Sequence, residues 1–255
     1  NPPQVFSRYQ VAAGITPPLG VAYLASWLLE HGLEVAVVDA LGEAPFQVTP
    51  FDGRALLRGL DLDATAAAIP EDTDLVGISN LFTFAWPAVA ELAGRVKARL
   101  PGVPIVVGGP HPSALPAECL DCEHVDYVGI GEGEEPLLRL CRVLSGDGDL
   151  GGLEAIAWRD EQGRVHWKPQ KETLISPVER IPWPARHLLP MESYATTREA
   201  HGPVGGRWTS ILSSRGCPYG CTFCESRLTR WRARPAEDVV DEIEHMVRDF
   251  GVRDI

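Results

Sequence analysis

Apolar and polar positions recur along the first half of the chain with two different periods. In "PPLGVAYLASWLLEHG" the residues Leu19, Ala22, Ala25, Leu28 and Leu29 share a helical spacing, which predicts a helix closed by a left-handed cap at Gly32. "LEVAVVDA" then predicts a short β-branched strand ending at Asp39. An irregular stretch containing Pro and Asp runs to Asp74. Beyond it, strands are expected over 75–79, 104–109 and 126–131, and helices over 87–100 and 134–144. Strands that are apolar almost throughout and alternate with helices imply a parallel sheet buried on both faces. The expected fold class is therefore α/β, with a doubly wound, Rossmann- or flavodoxin-like N-terminal domain.

The pattern changes in the second half. Residues 153–169 alternate on both sides of "DEQGR", which predicts a β-hairpin. A Pro-rich connector through "IPWPARHLLP" follows, and "WTSILSS" reads as a strand over 208–214. Pro235 opens a helix whose Val239, Ile243, Met246, Val247 and Phe250 share one face, with Glu237 and Asp238 in the first turn. The expected division is 1–147 for the doubly wound domain, 148–205 for hairpin and connector, and 206–255 for the start of a second α/β unit. Asn1-Pro2-Pro3 reads as the end of a strand whose beginning is cut away, and "GVRDI" as a strand just starting, so a piece of a longer protein is expected.

Composition narrows the function classes. The 255 residues are 45% hydrophobic and 23% charged, enough for a sizeable core. A net charge of −12 argues against a nucleic-acid backbone as partner. Locally the balance reverses, because six Arg and one acid, Glu225, lie between Arg207 and Arg234. No apolar run approaches the roughly 18 residues that would predict a membrane span, and residues 1–25 lack a signal-peptide pattern. A cytoplasmic location is expected. Six cysteines, three of them clustered, suit metal or redox chemistry better than a disulfide framework.

Two regions carry candidate chemistry. In a doubly wound sheet ligands bind outside the carboxyl ends of the strands. The loops there contain Asp39, Ser79-Asn80, Gly108-Gly109-Pro110-His111 and Gly131-Glu132-Gly133-Glu134, whose small residues let backbone approach a ligand closely. The G-x-G-x-x-G fingerprint is absent between the first strand and helix, which disfavours NAD. The second region is "RGCPYGCTFC", with thiols at Cys217, Cys221 and Cys224. Three thiolates on a short loop can hold three corners of a cubane iron-sulfur cluster and leave one iron open to a ligand. A structural zinc is the competing reading, but zinc takes four ligands and no fourth Cys or His lies close by in sequence. Cys119 and Cys122 form a C-x-x-C with only the distant Cys141 to join them, and read as ordinary thiols. Arg215, Arg232 and Arg234 flank the cysteine loop as candidate anion contacts or as exposed cations.

"CPYGCTFC", with the aromatic Phe223 before the last cysteine, matches the C-x-x-x-C-x-x-C signature of radical S-adenosylmethionine enzymes. Together with "PPLGVAYLASWL", "DLVGIS", "VVGGPHPSALP", "DYVGIGEGEEPL" and "RWRARPAEDVVDEIE", it makes nearly the whole chain resemble the cobalamin-binding radical S-adenosylmethionine family. The resemblance implies a cobalamin-binding domain followed by a radical S-adenosylmethionine partial TIM barrel. It implies that Cys217, Cys221 and Cys224 hold a 4Fe-4S cluster whose open iron binds S-adenosylmethionine, with Phe223 and Arg232 beside that cofactor. One electron then cleaves the cofactor to methionine and a 5'-deoxyadenosyl radical.

For cobalamin the resemblance implies contacts from Pro18, Leu19 and Gly20 before the first helix, from Asp39, and from Ser79, Asn80 and Leu81. Gly108, Gly109, Pro110 and His111 form a third set, and Gly131, Glu132 and Gly133 a fourth. None of the seven histidines fits D-x-H-x-x-G, so cobalamin without a histidine lower ligand is implied. Residues 80–84 are the candidate for the corrin's lower face, with burial of "LFTF" in the core as the alternative. The implied activity is C-methylation of an unactivated carbon through the radical and methylcobalamin. A cyclising, oxidising or rearranging enzyme is the alternative, and a non-catalytic cobalamin-binding or electron-transfer module is one of another class. The implied partners are a small-molecule substrate or natural-product intermediate and an external one-electron reductant of flavodoxin or ferredoxin type.

Overall fold

Burial along three short strands organises the first half of the molecule. In the computed structural model, which describes residues 1–7, 14–197, 199, 205–224 and 229–255, the chain begins with β1 (Gln4–Ser7) and α1 (Leu19–Glu30). The helix ends as its spacing predicts. Gly32 has φ +79°, and the N–H groups of Gly32 and Leu33 donate to the carbonyls of Leu29 and Leu28, the paired bonds of a Schellman cap.

The next segment departs from expectation. Residues 33–39 carry no strand ladder among the described residues. The Asn1 amino group donates to the Val38 carbonyl at 2.8 Å, and its carbonyl accepts from the Ala40 N–H at 3.1 Å. The stretch expected to be irregular instead holds α2 (Ala40–Glu43), β2 (Val48–Pro50), β3 (Ala55–Arg58) and α3 (Leu62–Ala67). β1, β3 and β2 form a small antiparallel sheet. Asp61 caps α3, its side chain accepting from the Ala64 N–H at 2.8 Å.

The main sheet follows the predicted order. β4 (Val76–Ser79), α4 (Trp86–Arg99), β5 (Ile105–Gly108), the short helices α5 (Pro110–Ala114) and α6 (Pro116–Leu120), β6 (Tyr127–Gly129) and α7 (Glu134–Leu144) come in succession. β4, β5 and β6 are parallel neighbours. Ile105 and Val107 on β5 pack with Val89, Leu92 and Val96 of α4. The intervening Val106 packs with Leu140 of α7 on the opposite face, as alternating side chains require. α1 shares that second face, its Leu19, Tyr23 and Trp27 clustering with Leu138. The hairpin forms as β7 (Ile156–Arg159) and β8 (Val165–His166), and it joins this same sheet, with β7 antiparallel to β6. The sheet is thus mixed, parallel from β4 to β6 and antiparallel from β6 to β8.

In the last third are α8 (Met191–Thr197), β9 (Ser214–Arg215), β10 (Arg232–Ala233) and α9 (Ala236–Phe250). The strand expected over 208–214 is reduced to a parallel bridge from Trp208 to Asp254 and to β9. α9 lies between the bridged residues, as in a βαβ crossover. The predicted apolar face of α9 is corrected at one position: Val247 is exposed, while Glu242 is buried with Met246.

Glu242 is buried because it is paired twice. Its Oε1 accepts from Arg186 at 2.6 Å and its Oε2 from Arg234. Arg186, 1% exposed, also donates to the Ser210 carbonyl at 2.9 Å, and Arg234 donates to the Leu212 carbonyl at 2.9 Å. The connector residue Arg186 and the pre-helical Arg234 thereby fix the segment leading into the cysteine loop. No described helix is long and apolar enough to cross a membrane.

Two outcomes follow from this packing. Glu242→Ala leaves the buried Arg186 without a carboxylate while Arg234 keeps Asp238 at 2.6 Å, and denaturant unfolding is expected to show a loss of about 3–5 kcal/mol; a loss below about 1 kcal/mol would mean that Arg186 finds water instead. Cys119 is fully buried in the α4-side core, and burial pushes its thiol up to about 12. It therefore stays protonated near neutrality. Iodoacetamide at pH 8 is expected to modify the exposed Cys221 and spare Cys119 in peptide mass spectra of the native protein.

Candidate functional site

The cleft is built where β4, β5 and β6 end. β5 runs into Gly108-Gly109, and Gly109 has φ +115° with the Asn80 carbonyl only 2.6 Å from where a Cβ would stand. Backbone from two loops thus meets at a point where only glycine fits. The neighbouring Gly108 has no atom of the described residues within 4 Å of where a Cβ would stand, so it faces open space among them. Asn80 is 1% exposed, yet its side-chain Nδ2 and Oδ1 find no partner among the described residues. His111 is buried beside it: Nδ1 lies 3.2 Å from the Thr83 hydroxyl, the ring packs on Trp86 and Nε2 has no partner among the described residues. Burial holds this imidazole below its usual pKa despite Glu118, so the neutral ring predominates at neutral pH. It ties the loop after β5 to the loop after β4, the shaping role that is its simpler reading.

Leu81, Phe82 and Phe84 are exposed, and the two phenyl rings stack with centroids 5.2 Å apart. The alternative that "LFTF" belongs to the core is therefore overturned. Of the other predicted cleft residues, Pro18, Leu19 and Gly20 form the start of α1, with Leu19 packed inward and Gly20 exposed. Ser79 donates its hydroxyl to the Asn1 side chain at 3.1 Å. Pro110 is exposed at the start of α5. Asp39 is corrected: it is fully buried, its Oδ1 accepting from Asn1 at 2.8 Å and its Oδ2 from the Tyr194 hydroxyl at 2.7 Å. Both oxygens are used inside the protein, and Asp39 anchors α8 rather than facing a ligand.

The Gly131–Gly133 loop is held by Gln170, whose amide accepts from the Glu132 N–H at 3.1 Å and donates to the Glu132 carbonyl at 2.7 Å. Gln170 gave no signal in the sequence, since it lies in the connector.

The cysteine loop rises between β9 and β10. Gly216, at φ +75°, allows its backbone to pass the Arg230 carbonyl, where a Cβ would collide. The Cys217 N–H donates to the Thr229 carbonyl at 3.2 Å, and the Cys224 N–H to the Cys221 carbonyl at 3.1 Å. All three thiols are free, and Phe223 beside them is 91% exposed. Among the described residues no three His, Cys, Asp or Glu side chains gather closely enough to hold an ion. Glu225 and Arg227, counted in the basic stretch, lie outside the described residues.

The arginines around the loop have protein partners. Arg215 pairs with Glu134 at 2.7 Å and lies over the Tyr23 ring. Arg232 donates to Glu132 and to the Ile175 carbonyl, and Arg234 belongs to the Glu242 network.

Both donor sets suit the cofactors that the sequence suggests. Three free thiols on one short loop are soft ligands appropriate to iron-sulfur chemistry. The buried amide of Asn80 and the His111 Nε2, with no partners beside a glycine-lined opening, offer polar contacts to an amide-rich ligand, and an unmade buried hydrogen bond costs about 1–3 kcal/mol.

Comparison with known proteins agrees. A family model for the B12 binding domain matches residues 9–140. Over 99% of its length the chain is 31% identical to the cytidylyl-2-hydroxyethylphosphonate methyltransferase of Streptomyces wedmorensis, covering 52% of that protein. It is 28% identical, over 99% of its length, to the anaerobic magnesium-protoporphyrin IX monomethyl ester cyclase of a Synechocystis strain, covering 47% of it. The fold is shared with the cobalamin-dependent S-adenosylmethionine radical enzyme OxsB, with a TM-score of 0.71 at 21% identity over 92% of this chain and 30% of that one. The chain thus spans about half the length of the curated relatives it matches. With a B12 binding domain, a C-x-x-x-C-x-x-C loop after it and relatives matched along nearly all of its length, the chain belongs to the cobalamin-binding radical S-adenosylmethionine enzymes.

Proposed function

We propose that the chain is the cofactor-binding part of a C-methyltransferase that acts on an unactivated carbon of a small-molecule substrate or natural-product intermediate. In this reading residues 1–147 bind cobalamin, 148–205 connect, and 206–255 open the radical S-adenosylmethionine barrel. The observation that carries it is the meeting of the two loops: arginines at the base of the three-thiol loop bond Glu132 and Glu134, at the carboxyl end of β6. The similarity to a methyltransferase along the chain supports the same reaction.

When bound, a 4Fe-4S cluster supplies the electron that cleaves S-adenosylmethionine, and cobalamin carries the methyl group. The protein's part is to hold and orient. Cys217, Cys221 and Cys224 would be the three thiolate ligands. Phe223, with its ring exposed, offers a flat apolar surface to the adenosyl group. The guanidinium of Arg232 is already engaged by Glu132 and Ile175, which makes it a residue that shapes this pocket from behind. Gly108, Asn80 and His111 line the cleft for the nucleotide tail of cobalamin, with Gly109, Pro110 and the Gly131–Gly133 loop at its rim. Leu81, Phe82 and Phe84 would present an apolar surface to the corrin and keep water from it.

The protein would work in the cytoplasm with an external one-electron reductant of flavodoxin or ferredoxin type. Similarity to a cyclase at 28% identity favours oxidative cyclisation as the second reading. Transfer of a labelled methyl group from S-adenosylmethionine to product separates the two.

The test uses the full-length protein, reconstituted anaerobically and reduced with dithionite, with 5'-deoxyadenosine measured by chromatography. Wild type is expected to form it, and Cys217→Ala, Cys221→Ala and Cys224→Ala each to lose about 100-fold or more while binding cobalamin as wild type does. Retained cleavage in any of the three contradicts the ligand assignment, and none in wild type leaves a non-catalytic module. Gly108→Leu projects into open space rather than into the protein. It is expected to weaken cobalamin binding by about tenfold or more, measured by absorbance titration, and to leave iron content unchanged.

A further inference from the structure

Arg215 and Arg232 stand directly opposite one another in the β9–β10 ladder. These two strands are the base of the loop that bears Cys217, Cys221 and Cys224. Like charges directly opposed across an antiparallel pair repel, and a ladder two residues long has little backbone bonding with which to oppose them.

The repulsion is relieved from another part of the fold. Glu134 pairs with Arg215 at 2.7 Å, and Glu132 pairs with Arg232 and lies 3.6 Å from Arg215. None of the four side chains is more than 15% exposed, so solvent screens them weakly and the pairing matters. The Arg215 guanidinium also sits 4.6 Å above the Tyr23 ring on α1.

Glu132 has a second attachment. Its backbone is gripped on both sides by Gln170, and the Gly131 N–H donates to the Ser113 hydroxyl on α5 at 2.9 Å. One residue therefore has its main chain in the rim of the B12-domain cleft and its carboxylate on the base of the thiol loop.

We infer that Glu132 couples the two cofactor sites. Among the described residues, Glu132 and Glu134 are the carboxylates that pair with the two opposed arginines at the base of the cysteine loop, so a ligand that fixes the Gly131–Gly133 loop also fixes a carboxylate that holds the base of the thiol loop. Cobalamin in the cleft and iron on the loop then favour one another, reciprocally. Glu132 is a positioning residue and touches neither reacting group. The inference rests on the two-cofactor reading proposed above.

The experiment measures how fast an iron chelator bleaches the iron-sulfur absorbance of the full-length protein, with and without hydroxocobalamin. In wild type, hydroxocobalamin is expected to slow bleaching by about fivefold or more, in the usual range of coupling between sites. In Glu132→Gln the bleaching is expected to be about tenfold faster and no longer slowed by hydroxocobalamin at saturating concentration. Glu132→Asp, which keeps the charge, should recover part of the protection.

Arg232→Gln attacks the same pair from the strand side and serves if Glu132→Gln does not fold. The double variant should lose no more than either single one, because the pair acts as a unit. Protection that persists in Glu132→Gln, or losses that add in the double variant, overturns the coupling alone. A wild-type protein that takes up no iron or no cobalamin overturns the proposed function and the coupling with it.

Discussion

A charge buried without a partner is among the most expensive features a protein can carry, and that cost organises the half of the molecule that bears the thiols. Arg186, Arg215, Arg232 and Arg234 are all largely withdrawn from water, and each ends on a carboxylate. Glu242 ties the connector to the segment before the cysteine loop, and Glu132 with Glu134 ties the base of that loop to the end of β6. Neither β9 nor β10 exceeds two residues. Ion pairing therefore does the positioning that a longer ladder would otherwise do.

The cleft obeys a different constraint. Parallel strands leave their carboxyl ends free of the helices that cover both faces, and the loops there turn on glycine. Gly109 accepts a positive φ against the Asn80 backbone and so brings the β4 and β5 loops together, while Gly108 keeps the opening clear. The buried side-chain amide of Asn80 finds no partner among the described residues at that junction, and exposed Leu81, Phe82 and Phe84 continue the same loop outward. A polar anchor at the bottom and an apolar surface above it suit a large amphipathic ligand held by its tail.

Much of this was legible in the sequence because it is local. The three parallel strands show as apolar runs, α1 shows in its spacing and its Gly32 cap, and the thiol loop shows in the intervals between its cysteines. The short elements from Ala40 to Ala67 escape because three to six residues display too little of a period to be read. The strand expected to end at Asp39 is not formed among the described residues, which carry no ladder there. Asp39 itself looks like a cleft residue by position, and only the fold brings Tyr194 from a distant part of the chain to use its second oxygen. Val247 and Glu242 exchange roles on α9 for the same reason, since a carboxylate can be buried once Arg186 and Arg234 arrive. The pairing of Glu132 with Arg232 spans 100 residues of sequence and has no local signal.

The central claim is that one chain offers a cobalt site and an iron-sulfur site side by side. It is tested most directly by metal counting on the full-length protein, reconstituted anaerobically with iron, sulfide and hydroxocobalamin and then desalted, alongside its ultraviolet and visible spectrum. The expected result is about four irons and about one cobalt per chain, with both chromophores present. Iron without cobalt would contradict the reading of the β4–β6 cleft, and cobalt without iron the reading of Cys217, Cys221 and Cys224.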